Sequence, residues 1–70
     1  MERTPVTSAH MVSVGYDPGA RKLHVEFHNG QVYEYSGVPE VFHKTLMSAD
    51  SQGEFFHRNV KPHFKARRVN

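Results

Sequence analysis

The tightest constraint on this chain is the pair Asn29-Gly30, set between two stretches in which apolar residues recur at every second position. Before it, Leu23, Val25 and Phe27 alternate with Lys22, His24, Glu26 and His28; after it, Tyr33 and Tyr35 stand two apart within Gln31 to Ser36. A period of two marks a strand with one buried face, and Asn-Gly supplies the positive φ that the tightest hairpin turns need. An antiparallel hairpin is therefore expected here.

Two registers are open to it. A two-residue turn at Asn29-Gly30 pairs His28 with Gln31 and places both tyrosines on the polar face as an exposed aromatic platform. A three-residue loop, with Gly30 as a left-handed bulge, pairs Phe27 with Gln31, Val25 with Tyr33 and Leu23 with Tyr35. The second register gathers five large side chains on one face and sets His24 opposite Glu34 on the other. A slip of one residue turns every side chain over, so the hydrophobic pattern favours the bulged form.

An earlier strand is expected over His10 to Tyr16, where Val12, Val14 and Tyr16 alternate with Met11, Ser13 and Gly15. Asp17-Pro18-Gly19 turns the chain into the hairpin. After Gly37 the period lengthens: Val38, Phe42, Leu46 and Ala49 form one helical stripe, and Pro39 suits the first helical position. Ser51-Gln52-Gly53-Glu54 has the form of a capping box, so a second short helix starts near Gln52 and stops at Lys61, before Pro62. Phe55, Phe56 and Val60 are its inward residues, and Phe64 and Ala66 alternate with His63, Lys65 and Arg67 beyond it. The expected fold is α+β: a three-stranded antiparallel meander, two short helices on one face and a C-terminal edge strand or extended tail.

At 70 residues with no cysteine, the chain has room for one domain, over residues 8–68, preceded by a flexible terminus at 1–7. Disulfides and thiolate zinc cages are excluded, and 37% hydrophobic content argues against disorder. No apolar run approaches a membrane span and no signal region is visible, so a cytoplasmic protein is expected.

The net charge of +2 conceals an asymmetry. Residues 1–53 carry four Lys/Arg against six Asp/Glu, whereas residues 54–70 carry five against Glu54 alone. Such a basic end suits an anionic partner, nucleic acid first. Arg58, Lys61, Lys65 and Arg68 follow spacings of three, four and three, although Pro62 prevents one continuous helix through them. With Arg67 they are the candidate phosphate ligands, and His63 or Tyr35 is a candidate for stacking on a base.

Six histidines invite a metal centre, but His24 and His28 lie about 13 Å apart on a strand and the others show no ligand spacing. No metal or cofactor is expected. His57 and His63 with Lys61 between them are the nearest approach to an acid–base set, yet no nucleophile elbow or phosphate loop accompanies them. An anion site at the start of the second helix competes with the capping box for the same N–H donors. A non-enzymatic role is therefore expected.

The ordered series Val14-Gly15-Tyr16-Asp17, Leu23-x-Val25-x-Phe27-x-x-Gly30-x-x-Tyr33-x-Tyr35-x-x-Val38-Pro39 and Ala49-x-Ser51-x-Gly53-x-Phe55-Phe56 resembles the KTSC domain. That small module is named for its place at the C-terminus of some lysyl-tRNA synthetases, and it also occurs as stand-alone bacterial and phage proteins. The likeness runs from about Ser8 to Arg68, with Tyr33-x-Tyr35 matching the family's central signature. His57 stands where Asn is common and Phe64 where Tyr is common, which puts in doubt any role resting on that amide or phenol. The resemblance implies RNA binding through the synthetase context. Together with the charge pattern it gives the expectation of a non-catalytic module that binds RNA or another single-stranded nucleic acid. The alternative is an interaction module for a protein or a small nucleotide-like ligand, with a homodimer formed through an exposed sheet edge.

Overall fold

A computed structural model describes residues 1–70 and contains one five-stranded antiparallel sheet in the order β1-β2-β3-β4-β5. The strands are β1 (Thr4–Pro5), β2 (Met11–Asp17), β3 (Lys22–Phe27), β4 (Val32–Ser36) and β5 (Ala66–Arg68). Between β4 and β5 come α1 (Glu40–Ser48) and α2 (Gln52–Phe55), the latter continuing into a π-helical turn at Phe56–Val60. The sheet thus has five strands where three were expected. The C-terminal edge strand is β5, and the strand with no counterpart in the sequence pattern is β1.

The hairpin takes the bulged register. Leu23 faces Tyr35, Val25 faces Tyr33 and His24 faces Glu34. Phe27 donates its N–H to Gln31 and accepts from Gly30, both at 2.9 Å. Gly30 sits at φ +85°, a conformation that a side chain makes costly.

On β2 the alternation breaks. The register with β3 shifts between Met11 and Ser13, so Val12 bulges out and Met11, opposite Phe27, enters the core fully buried. Val12 had been expected inward; the extra residue of the bulge reverses the face on which everything before it lands. Pro39 also differs by one position: it is the N-cap of α1, in extended conformation, and Glu40 opens the helix.

The core lies between the sheet and the helices, where Met11, Val14, Leu23, Val25, Tyr35, Val38, Leu46, Phe56 and Val60 form one cluster. Phe56 is its largest fully buried side chain, with ring edges on Phe27 at 5.8 Å and Tyr35 at 5.3 Å. Ser51 caps α2 through its hydroxyl, which accepts from the Glu54 N–H at 3.3 Å. Phe64 is half-buried against the core and meets Phe42 edge-on at 5.3 Å.

The other face of the sheet is covered by the first residues of the chain. They cross at Gly15, where a Cβ would stand 2.7 Å from the Glu2 carbonyl oxygen, so only glycine admits this approach. Arg3 reaches Glu26 at 4.0 Å, and Glu26 in turn accepts from the Ser13 hydroxyl at 2.9 Å. At the opposite edge Asn70 extends the ladder with its side chain: its amide oxygen accepts from the Val32 N–H at 2.9 Å and its NH2 donates to the Gly30 carbonyl at 2.8 Å.

Candidate nucleic-acid interface

The basic residues of the C-terminal segment do not share one surface. In β5, Arg67 lies opposite Glu34 and Arg68 opposite Tyr33, so alternation turns their side chains to different faces of the sheet. Arg67 donates from Nε to the Glu34 carboxylate at 3.2 Å, and Arg58 pairs with Glu54 at 3.3 Å one helical turn away. Lys61, Lys65 and Arg68 are exposed, and no carboxylate forms a salt bridge with them. His63 is exposed just beyond the π-helical turn, its N–H donating to the Val60 carbonyl at 3.2 Å.

Tyr35 requires a correction. It is 4% exposed, lies edge-on to Phe56, and burial raises its phenol pKa above the ordinary value. No base can stack on a ring held there. The favoured hairpin register already turns this side chain inward, and only the two-residue turn would have exposed it.

Glu34 organises the polar face. Its side chain is 9% exposed and accepts from three donors: Lys22 Nζ at 3.1 Å, His24 Nε2 at 2.9 Å and Arg67 Nε at 3.2 Å. These bonds, His24 first and Lys22 next, outweigh burial and lower the carboxyl pKa from 4.5 to about 2. Because the folded-state pKa is the depressed one, the stabilisation is complete above pH 4.5 and is lost as the pH falls toward 2. Urea midpoints of the wild type should therefore drop across that window. Glu34→Gln should be less stable at neutral pH and show a flatter acid limb, and parallel acid limbs for the two proteins would contradict the assignment. The His24–Glu34 pairing follows from the bulged register, whereas Arg67 joins through a strand whose register the sequence did not specify.

A groove in two adjoining parts runs along one side of the second helix. Its upper part, about 450 Å³, lies between the loop of residues 7–10 and the start of α2, with Asp50 and Glu54 in its wall. Its lower part, about 320 Å³, is bordered by His28, Asn29 and Lys61, and His10 and His57 line both. The rings of His10 and His57 meet edge-on at 5.0 Å. Residues distant in sequence build this groove, so nothing in the spacing of the histidines announced it. Elsewhere, Tyr16 stacks on His43 at 4.9 Å and donates its hydroxyl to the Val38 carbonyl; burial lowers the His43 pKa against the opposing charge of Glu40. No group of three His, Asp or Glu side chains is arranged to hold a metal ion, and no helix is long and apolar enough to cross a membrane.

Comparison with known proteins agrees with this architecture. A crystal structure of a KTSC domain protein from Yersinia pestis matches with a TM-score of 0.95 and 42% identity, over 99% of this chain and 97% of that one. An uncharacterised protein of Stutzerimonas stutzeri is 38% identical over the full length of both. A lysine–tRNA ligase of Nostoc sp. is 40% identical over 71% of this chain, a stretch that makes up 9% of the ligase. The family model of the KTSC domain matches residues 7–64, and the chain belongs to the KTSC domain family.

Proposed function

We infer that this chain is a small, non-catalytic nucleic-acid-binding module with RNA as its foremost partner. The observation that carries the reading is the fate of the cations after Gly53. Arg67 is held by Glu34 and Arg58 by Glu54, while Lys61, Lys65 and Arg68 project into solvent with no acidic partner. Three unneutralised cations within eight residues of chain have no salt bridge in the fold and suit a phosphate backbone. The Arg58–Glu54 pair is exposed on both sides, contributes little, and leaves Arg58 free to turn to a phosphate. Membership of the family supports the same reading, since a related stretch stands in ligases whose substrate is tRNA. Dimerisation through a sheet edge is the weaker alternative: β1 is two residues long, and β5 is three with two arginines, a form that discourages edge pairing.

A backbone NMR titration with short RNA and DNA oligomers at low salt tests the reading. Amide signals of residues 61–68 should move on addition of the oligomer, RNA giving the larger shifts. Absence of any shift with either nucleic acid overturns it.

A further inference from the structure

Where the loop of residues 7–10, the end of β3 and the π-helical turn meet, the lower cleft is lined by His10, Phe27, His28, Asn29, His57 and Lys61. Three imidazoles and an ammonium converge here from separate parts of the chain, and no carboxylate is among the lining groups. One fixed cation, Lys61, thus stands among three imidazoles that can donate hydrogen bonds and take up protons, and an anion is the ligand that such a set of groups suits.

The geometry leaves their polar atoms available. His28 donates from Nε2 to the Ser8 carbonyl at 3.0 Å, which orients the ring at the border of the cleft. Its backbone N–H reaches the His10 carbonyl at 3.2 Å, fixing the hairpin end against the loop. His57 and Lys61, four residues apart, both face the cleft, and the Lys61 N–H closes the π-helical turn on the Phe56 carbonyl at 2.9 Å. Such turns recur at functional sites. Phe27 contributes an apolar wall.

We propose that this cleft binds a phosphomonoester, either the terminal phosphate of a nucleic-acid strand or that of a free nucleotide, with His10, His57 and Lys61 donating to its oxygens. A phosphomonoester carries close to two negative charges and three acceptor oxygens, against the single charge of an internal diester, and so matches a cleft that offers an ammonium and imidazole donors together. For the strand the proposal rests on the nucleic-acid reading; for the phosphate chemistry it does not. The charged groups around His57 are His10 from the loop, His28 from the hairpin, Lys61 and Glu54 from its own helix and Asp50 from the α1–α2 connection, with Glu54 held by Arg58 at 3.3 Å. Partial burial, then Lys61 and His10, lower the pKa of His57. A bound phosphate favours the imidazolium, so affinity rises as the pH is lowered through the imidazole range, until the phosphate itself takes up a proton near about pH 6.

The test follows the imidazole ring protons of the whole chain by NMR during titration with adenosine 5′-monophosphate, with adenosine as the control. Binding of hexauridylate with and without a 5′-phosphate is then compared. The nucleotide should move the ring signals of His10, His28 and His57 while adenosine leaves them in place. His57→Gln, an exposed position, should weaken the nucleotide about tenfold without altering the melting temperature. Tighter binding of the phosphorylated strand identifies a strand end as the source; equal binding of the two strands, with the imidazoles responding to the nucleotide, assigns the cleft to free nucleotides. If the imidazoles respond but no strand binds, the cleft stands and the nucleic-acid reading fails. If strands bind without regard to the 5′-phosphate and the imidazoles ignore the nucleotide, the cleft proposal is overturned and the nucleic-acid reading survives.

Discussion

Phe56→Ala is expected to lower the melting temperature by about 15–30 °C. The ring is 1% exposed and touches Phe27 from the hairpin and Tyr35 from β4, so it joins the second helix to the sheet. Truncating a buried phenylalanine costs about 3–5 kcal/mol, from lost transfer energy and the cavity left behind. A domain of this length has roughly 4–10 kcal/mol of stability in all, and each kcal/mol corresponds to about 4–8 °C. A large part of the population should therefore unfold near physiological temperature. Val41→Ala is the matched control, because that side chain is 62% exposed and its loss should shift the melt by only a few degrees. A shift for Phe56→Ala no larger than that of the control, read by circular dichroism, would contradict the packing described.

The second large effect concerns binding rather than stability. Replacing Lys61, Lys65 and Arg68 together with alanine removes three exposed cations and no internal contact except the 3.4 Å bond from Arg68 to Asn70. Each phosphate contact on a single strand contributes about 0.7 to the slope of log affinity against log salt, so three contacts are worth roughly a hundredfold in affinity at about 0.1 M salt. The triple variant should lose RNA affinity by about that factor while retaining its fold. Arg67→Ala should behave in the opposite way. Its guanidinium already serves Glu34, so removal loosens the polar face of the sheet and leaves binding nearly unchanged.

How far such features were legible in the sequence depended on whether a pattern repeats locally. The bulged hairpin was legible because only that register collects Leu23, Val25, Phe27, Tyr33 and Tyr35 on one side, and the His24–Glu34 pair follows from it. The Ser51 cap was equally visible, since four adjacent residues contain it. Met11 was not: a single bulged residue at Val12 inverts the alternation, and no composition signal marks it. Nor was β1, a two-residue edge strand exposed at both positions, which leaves no apolar period to read. The candidate site divided along the same line. The basic end appears in the charge count, but the capture of Arg67 by a residue 33 positions earlier depends on how β5 docks. The cleft of His10, His28, His57 and Lys61 exists only once a loop, a hairpin and a helix have been brought together.

The central claim is tested most directly by the affinity of a fluorescent single-stranded RNA for the wild type and the Lys61/Lys65/Arg68 triple-alanine variant across a salt series. The wild type should bind at low salt with a log–log slope of about −2 to −3, and the variant should bind more weakly with a slope shallower by about two units. No binding by the wild type at low salt, or a slope that the three substitutions leave unchanged, would contradict the account.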